Sequence, residues 1–152
     1  MQVTLAHFGA PSRSRDPYEG QVRDYLKRCV GVARCGSQAF RNETAFFDWL
    51  SRQKGRTAPV VLLLDGRGRQ MSSEALADWL GARRNDGAQH VVFAIGPPDG
   101  WSEEARAEAK RRGGLLSLGP MTLAHPLARL VMAEQLYRAC TILTGHPYHK
   151  GH

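Results

Sequence analysis

The stretch that decides the fold is residues 59–95, PVVLLLDGRGRQMSSEALADWLGARRNDGAQHVVFAI. Its two ends, residues 59–64 and 91–95, are continuous apolar runs, a pattern typical of strands buried on both faces of a parallel sheet. Between them, Ser72 or Ser73 caps a predicted helix that ends at Gly81. A strand, a helix and a second strand in this order predict a parallel β-α-β unit.

The same alternation continues on both sides of this unit. Before it, the sequence predicts a strand at residues 3–8, a helix that begins at Asp16 and Pro17, a weak strand at 33–40 and a helix capped by Asn42. After it, the sequence predicts a helix at residues 102–112, a short strand at 115–118 and a long helix at 127–143. We therefore expect a single α/β domain with a parallel sheet, spanning residues 1–152.

The C-terminal helix at residues 127–143 is apolar on most of its faces. Its charged or amide side chains are Arg129, Glu134, Gln135 and Arg138. We expect such a helix to be buried, in the core or at a subunit interface, because an apolar surface all round cannot face water. A membrane span needs roughly 20 uninterrupted apolar residues, so we expect no membrane association. For Arg138 we favour an ion pair with Glu134, four residues earlier on the same helix.

The composition favours a cytoplasmic protein that associates with polyanions. The formal net charge is +7, which attracts nucleic acid through counterion release. The N-terminal sequence MQVTLAHFGAP has neither the basic nor the apolar segment of a signal peptide. The cysteines Cys29, Cys35 and Cys140 lack metal-ligand spacing, and we interpret them as reduced thiols that serve as small apolar side chains.

Three predicted loops follow strands, at residues 64–69, 96–100 and 119–124. Ligands of open α/β sheets bind beyond the carboxyl ends of the strands, so these loops are the candidate binding site. Glycine in two of them allows a backbone to approach a ligand closely. The first loop is not a dinucleotide fingerprint, because Met71 stands where the third glycine is required.

Other catalytic and metal motifs are missing from the sequence. It has no P-loop, nucleophile elbow or HExxH motif. In the polar tail, His146, His149 and His152 recur at intervals of three. A short terminal tail that contains glycine and proline holds metal ligands poorly, so we expect no metal site there.

Three segments of the chain resemble one known family. They are LLLDGRGRQMSSEALADWL, VVFAIGPPDGW and LSLGPMTLAHPLARLVMAEQLYRACTILTGHPYHK, with a weaker match in VTLAHFGA. The family is the RlmH group of bacterial SPOUT methyltransferases, and the resemblance covers nearly the whole chain. It implies an α/β domain with a C-terminal trefoil knot, over about residues 91–152, that acts as a homodimer. It also implies methyl transfer from S-adenosylmethionine to N3 of a pseudouridine in large-subunit ribosomal RNA, on the assembled ribosome.

Two tail residues are the catalytic candidates. We expect His149 to accept the N3 proton, because imidazole titrates near neutral pH, and Tyr148 to orient the base, because a phenol can stack and hydrogen-bond. The resemblance implies that the tail of one protomer reaches the cofactor pocket of its partner.

The basic cluster of Arg67 and Arg69 is the candidate surface for ribosomal RNA, together with Lys150 in the tail. Arg129 could bind an RNA phosphate or pair with Glu134. The implied cofactor-binding residues are Leu64, Gly96, Gly100, Gly119, Pro120, Met121, Thr122, Leu123 and Ala124.

Two positions depart from the family pattern. Pro97 stands where relatives have a second consecutive glycine, and proline offers no backbone N–H and a fixed φ. Lys150 replaces an arginine, which keeps the charge but not the bidentate geometry. An alternative function is therefore a ribosome-binding module that no longer binds the cofactor. A nicotinamide-dependent oxidoreductase is a second alternative, which the missing third glycine disfavours.

Overall fold

The structure, a computed structural model, describes residues 1–9 and 16–151. Strands and helices alternate along these residues, as the sequence predicts. In chain order they are β1 (Gln2–Phe8), α1 (Glu19–Lys27), β2 (Arg34–Phe40), α2 (Glu43–Ser51), β3 (Val60–Gln70), α3 (Ser73–Asn85), β4 (His90–Ile95), α4 (Glu103–Arg112), β5 (Gly113–Ser117), α5 (His125–Thr144) and a 3-10 turn (His149–Gly151). The tail histidine His152 lies outside the described residues.

The strands form a 5-stranded sheet in the order β2-β1-β4-β3-β5. Each neighbouring pair is parallel, which confirms the predicted α/β class. Because β4, β3 and β5 are neighbours, their carboxyl ends lie side by side at one edge of the sheet. Two of the three segments predicted to bind a ligand, residues 96–100 and 119–124, follow β4 and β5, whereas the first, residues 64–69, lies within β3. The trefoil knot stays a prediction from the resemblance.

Helices cover both faces of the sheet. Successive side chains of a strand point to opposite faces, so Val61 and Leu63 pack with α2 and α4, whereas Leu62 packs with α1, α3 and α5. The central strand β4 is buried along its whole length, as its continuous apolar run predicts.

α5 is the long C-terminal helix, and it packs against α1 and α3. Met132 and Leu136 are completely buried in the core that these helices share with the sheet. The prediction that this helix is buried is therefore confirmed for the face that contacts α1, α3 and the sheet, whereas Leu127 is 38% exposed. Within the described part of the chain, no helix combines the length and the apolar character needed to cross a membrane.

The predicted end of α3 at Gly81 is wrong, since the helix continues to Asn85. Gly81 is buried inside the helix, where α3 approaches α5. A Cβ at this position would lie 2.9 Å from Leu143 Cδ2. The glycine marks a close approach between helices and not a helix end.

The other predicted helix starts are confirmed with one exception. The side chains of Asn42, Ser72 and Ser102 each accept a hydrogen bond from the backbone three residues later. α1 begins at Glu19 and has no side-chain cap. Asp16, the predicted cap, instead accepts a hydrogen bond from the Tyr18 N–H at 2.8 Å, which forms a turn before the helix.

β3 continues through the residues predicted to form a loop. Leu64 and Arg69 both pair with Leu116 of β5, so residues 65–68 form a bulge between two paired segments. Gly68 approaches β5 so closely that a Cβ there would lie 2.6 Å from the backbone of Leu115 and Leu116. A Cβ at Gly66 would meet nothing within 4 Å.

We predict that Gly68→Ala lowers the free energy of unfolding by about 1–3 kcal/mol, because the backbone of β5 must move away. Gly66→Ala is the matched control within the same bulge. It should be neutral, or stabilising by up to about 1 kcal/mol through the lower entropy of the unfolded chain. Urea denaturation of both variants measures the difference. Equal stability of the two variants would contradict the close approach at residue 68.

Candidate functional site

A cleft of about 520 Å³ lies beyond the carboxyl ends of β3, β4 and β5. Its walls come from the bulge of β3, the loop after β4, and the segment that joins β5 to α5. These are the three segments that the sequence predicts to form a binding site. The structure therefore brings together backbone regions that are up to about 60 residues apart in the chain.

Most of the predicted cofactor-binding residues line this cleft. Those lining it are Leu64, Gly96, Gly100, Gly119, Pro120, Met121, Thr122 and Leu123. Ala124 is not among the lining residues. It is the N-cap of α5, and its carbonyl accepts a hydrogen bond from the Ala128 N–H at 2.9 Å. Ala124 therefore positions the start of α5 behind the loop.

Trp101 is a lining residue that the sequence interpretation missed. Its Nε1–H donates to the Leu64 carbonyl at 3.0 Å, and the side chain is 4% exposed. Trp101 therefore joins the loop after β4 to the part of β3 that precedes the bulge. Gly96 faces this ring, because a Cβ at residue 96 would lie 2.9 Å from Trp101 Nε1. The available signal was the position of Trp101 directly before the helix cap Ser102, where a large apolar side chain often packs.

Pro97 fits the loop after β4 without strain. The Gly100 N–H donates to the Pro97 carbonyl at 2.9 Å, which closes a turn. The positive φ of this turn, 81°, falls on Gly100, whereas neither Gly96 nor Pro97 is among the described residues with positive φ. A proline at residue 97 therefore does not require a remodelled loop, although it still removes one N–H donor.

Asp65 is a second residue that the sequence interpretation missed. Its carboxylate accepts hydrogen bonds from the Arg67 N–H at 2.8 Å and from Arg106 Nε at 2.8 Å. Burial raises the pKa of Asp65, but these hydrogen bonds and the positive charge of Arg106 outweigh it and the pKa is lowered. The residue is thus a charged anchor that holds the bulge of β3 against α4.

Tyr148 of the tail is held against α5. Its hydroxyl donates to Glu134 Oε1 at 3.0 Å, and its ring centroid lies 4.7 Å from that of Tyr137. Burial, with the neighbouring Glu134 carboxylate, raises the pKa of Tyr148 to about 12. The phenol is therefore neutral at physiological pH and acts as a hydrogen-bond donor. Glu134 also pairs with Arg138 at 2.6 Å, which confirms the pair predicted from their spacing.

His149 bridges α3 and α5. Arg138 NH1 lies 3.1 Å from its Nδ1, and Glu74 Oε1 lies 2.7 Å from its Nε2. Arginine can only donate, so Nδ1 must accept and Nε2 carries the hydrogen that is donated to Glu74. Both ring nitrogens are occupied by protein partners in this arrangement. Nδ1, the nitrogen without a hydrogen, cannot accept a proton from a substrate until Arg138 releases it.

The tail and the cleft are separate within one chain. Among the described residues that line the cleft, none belongs to residues 146–151. The predicted catalytic residues and the predicted cofactor-binding residues are therefore not brought together by this chain alone.

Three of the predicted RNA-binding residues, Arg67, Arg69 and Lys150, are exposed. Arg129, the fourth, is 2% exposed. It donates to Asp16 at 3.1 Å and to Ser37 at 2.7 Å, and it also pairs with Glu19. The assignment of Arg129 to RNA is corrected by this burial, because carboxylates inside the protein already neutralise the guanidinium. Its role is to tie α5 to α1 and β2.

The chain matches known proteins along nearly its full length. The family described as "Predicted SPOUT methyltransferase" matches residues 1–149. The ribosomal RNA large subunit methyltransferase H of Deinococcus radiodurans is 42% identical over 156 aligned positions, covering 99% of this chain and 100% of the relative. The protein of the same name from Koribacter versatilis is 50% identical over 129 residues, covering 85% of this chain and 86% of the relative.

Solved structures share the fold at low sequence identity. The SpoU methyltransferase AviRb from Streptomyces viridochromogenes, in complex with its cofactor AdoMet, has a TM-score of 0.55 at 12% identity. The ribosomal RNA small subunit methyltransferase E from Neisseria gonorrhoeae, bound to S-adenosyl methionine, has a TM-score of 0.50 at 16% identity. Both matches cover 94% of this chain, which spans 58% and 66% of the respective solved chains.

These matches define an α/β methyltransferase, and the cleft at the carboxyl edge of its parallel sheet is the candidate binding site. The chain belongs to the SPOUT methyltransferase family, and within it to the family of the large-subunit ribosomal RNA methyltransferases H.

Proposed function

We propose that this protein transfers a methyl group from S-adenosylmethionine to N3 of a pseudouridine in large-subunit ribosomal RNA. The observation that carries the proposal is the full-length match to proteins named as large-subunit ribosomal RNA methyltransferases, together with the single cleft that unites the three predicted loops. The substrate is the assembled ribosome, so the protein acts in the cytoplasm.

The cleft fits S-adenosylmethionine in size and in chemistry. Its volume of about 520 Å³ lies within the range of roughly 300–1,000 Å³ that is usual for small-ligand sites. Gly66, Gly100 and Gly119 keep its walls open, since a Cβ at any of them would meet nothing within 4 Å. The bound cofactor would supply an electrophilic methyl group on a sulfonium. Its adenosine would contact Leu64 and the backbone of residues 119–123.

The alternative function, a ribosome-binding module that no longer binds the cofactor, is inferred from Pro97. The conformation of this residue gives little support to that alternative. Pro97 takes part in an ordinary turn with Gly100, and the cleft beside it is open. One missing N–H weakens a cofactor contact, but it does not close the site.

The tail of one protomer would complete the cleft of its partner in a homodimer. This arrangement accounts for the separation of tail and cleft within one chain. When the tail moves into the partner's cleft, His149 would leave Glu74 and Arg138, and one ring nitrogen would become free to accept the N3 proton. Tyr148 would stack on the base or donate a hydrogen bond to it. Methyl transfer is an in-line displacement, so positioning and exclusion of water are the main contributions of these residues.

Arg67, Arg69 and Lys150 would contact ribosomal RNA phosphates. Arg67 lies in the bulge of β3 and Arg69 directly after it, and the neighbouring bulge residues Asp65 and Gly66 line the cleft. Arg67 also pairs with Glu103 at 2.9 Å, and Lys150 follows the proposed catalytic residues in the tail. Positive charge near a cleft that must receive a nucleotide strengthens RNA binding, because the RNA backbone is anionic on either side of the target base.

Methyl transfer to ribosomes tests the proposal directly. Purified protein, methyl-labelled S-adenosylmethionine and ribosomes from cells that lack this modification should yield one labelled methyl on one pseudouridine of the large-subunit RNA. Mass spectrometry of nuclease fragments locates it. A methyl on any other nucleotide would contradict the proposed substrate, and no transfer despite calorimetric binding of the cofactor would contradict the enzymatic function.

Mixed dimers test the composite site. We expect His149→Ala to lower the rate of transfer by roughly 10²-fold or more, with cofactor binding retained. Gly119→Val should abolish cofactor binding, because residue 119 lines the cleft at φ +120°, which valine rarely adopts. Dimers that contain one chain of each variant should recover part of the activity. Circular dichroism confirms that both variants fold, and no recovery in the mixed dimers would place tail and cleft of the same chain together.

Charge reversal tests the RNA surface. Arg69→Glu should weaken ribosome binding and reduce the dependence of log K on log salt by about 1. Arg52→Glu changes net charge equally, but Arg52 caps the C-terminus of α2, at the opposite edge of the sheet. It should leave the salt dependence nearly unchanged. If both variants changed ribosome binding and its salt dependence equally, the effect would come from net charge and not from the position of Arg69 beside the bulge of β3.

A further inference from the structure

The three cysteines form a cluster that their spacing in the sequence does not reveal. The Sγ atoms of Cys29, Cys35 and Cys140 all lie within 4.8 Å of one another. Cys29 and Cys140 are each 2% exposed, and Cys35 is half-buried. The prediction that these thiols serve as small apolar side chains agrees with their burial. It does not explain why three sulfur atoms from separate parts of the chain lie so close together.

Separate elements bring these thiols together. Cys29 follows α1, Cys35 lies on β2, and Cys140 lies near the end of α5. Between the first two, Gly31 has a φ of +87°, and a Cβ there would lie 3.5 Å from Thr144 Cγ2. The connection between α1 and β2 therefore lies beside the end of α5 at Gly31. The turn there reverses the chain, so that Cys29 and Cys35 both lie near Cys140.

We propose that Cys29, Cys35 and Cys140 form a three-coordinate binding site for a thiophilic d¹⁰ cation of the Cu(I) type. Three sulfurs bound at about 2.3 Å to one ion in a plane lie about 4.0 Å apart. Starting from separations of at most 4.8 Å, the site needs side-chain shifts of less than about 1 Å.

The chemistry of the donors selects the ion. Thiolates are soft ligands that favour Cu(I) and zinc over magnesium, calcium or manganese. Zinc in structural sites takes four ligands in a tetrahedron. Among the described residues, the group around these sulfurs consists of the cysteines alone, with no His, Asp or Glu as a fourth ligand. A set of three thiolates in a largely dry location therefore fits Cu(I) better than zinc.

Binding replaces thiol protons with the metal ion and releases them to solvent. In the metal-free protein the Cys29 Sγ lies 3.4 Å from the Tyr25 carbonyl, and this weak hydrogen bond is lost when the sulfur becomes a ligand. Half-buried Cys35 provides the route by which the ion enters.

The test is titration of untagged, fully reduced protein with Cu(I) in competition with a colorimetric Cu(I) chelator, without oxygen. One ion should bind per chain, and X-ray absorption should show three Cu–S distances near 2.3 Å. Cys35→Ser, at the least buried of the three positions, should weaken binding at least tenfold. Cys140→Ala should do the same, and circular dichroism should show that both variants are folded.

The tail histidines provide the matched control. A variant with His146, His149 and His152 all changed to alanine should bind Cu(I) as tightly as the original protein. Loss of binding in that variant, undiminished binding in Cys35→Ser, or two-coordinate copper in the absorption spectrum would overturn the proposal. Tighter binding of zinc than of Cu(I), with a fourth ligand, would overturn the assigned coordination. These outcomes are read from metal binding and are independent of methyl transfer.

Discussion

The pairing of β5 with β3 on both sides of a bulge is the constraint on which the rest of the structure depends. Leu116 pairs with Leu64 before the bulge and with Arg69 after it, so residues 65–68 must leave the sheet at its carboxyl edge. Asp65 then anchors the bulge to Arg106 of α4, and Gly68 permits contact with the backbone of β5. One wall of the cleft is therefore part of the sheet itself, which gives a site for a small ligand more rigidity than a free loop would.

α5 connects this cleft to the rest of the molecule. Its N-terminus follows the segment 119–123 that lines the cleft. Its second turn carries the buried Arg129 that joins α1 and β2, and its central turns hold the tail through Glu134 and Arg138. Burial of a guanidinium is costly unless carboxylates neutralise it, and Asp16 and Glu19 do so here. α5 is thus held against α1 and β2 by a charged contact in the interior, and not by apolar packing alone.

Several parts of the fold and of the site could be predicted because they depend on local chemistry. Continuous apolar runs indicated the buried strands, Asn42 and Ser102 indicated helix starts, and the glycines after strands indicated the loops that meet in the cleft. Other parts could not be predicted in this way. Gly81 suggested a helix end until its contact with α5 was known, and Arg129 suggested a surface cation until its distant partners Asp16 and Ser37 were known.

The sequence by itself determined the class of the fold, the edge of the sheet that carries the candidate site, and, through its resemblance, the family. These properties follow from periodicity, caps and motifs, which neighbouring residues encode. Only the tertiary structure decided which groups meet: the Trp101 indole and the Leu64 carbonyl, His149 and Glu74, and the sulfur atoms of the three cysteines. The physical reason is that these contacts join residues of different elements, so their distances are set by how helices pack on the sheet and not by spacing along the chain.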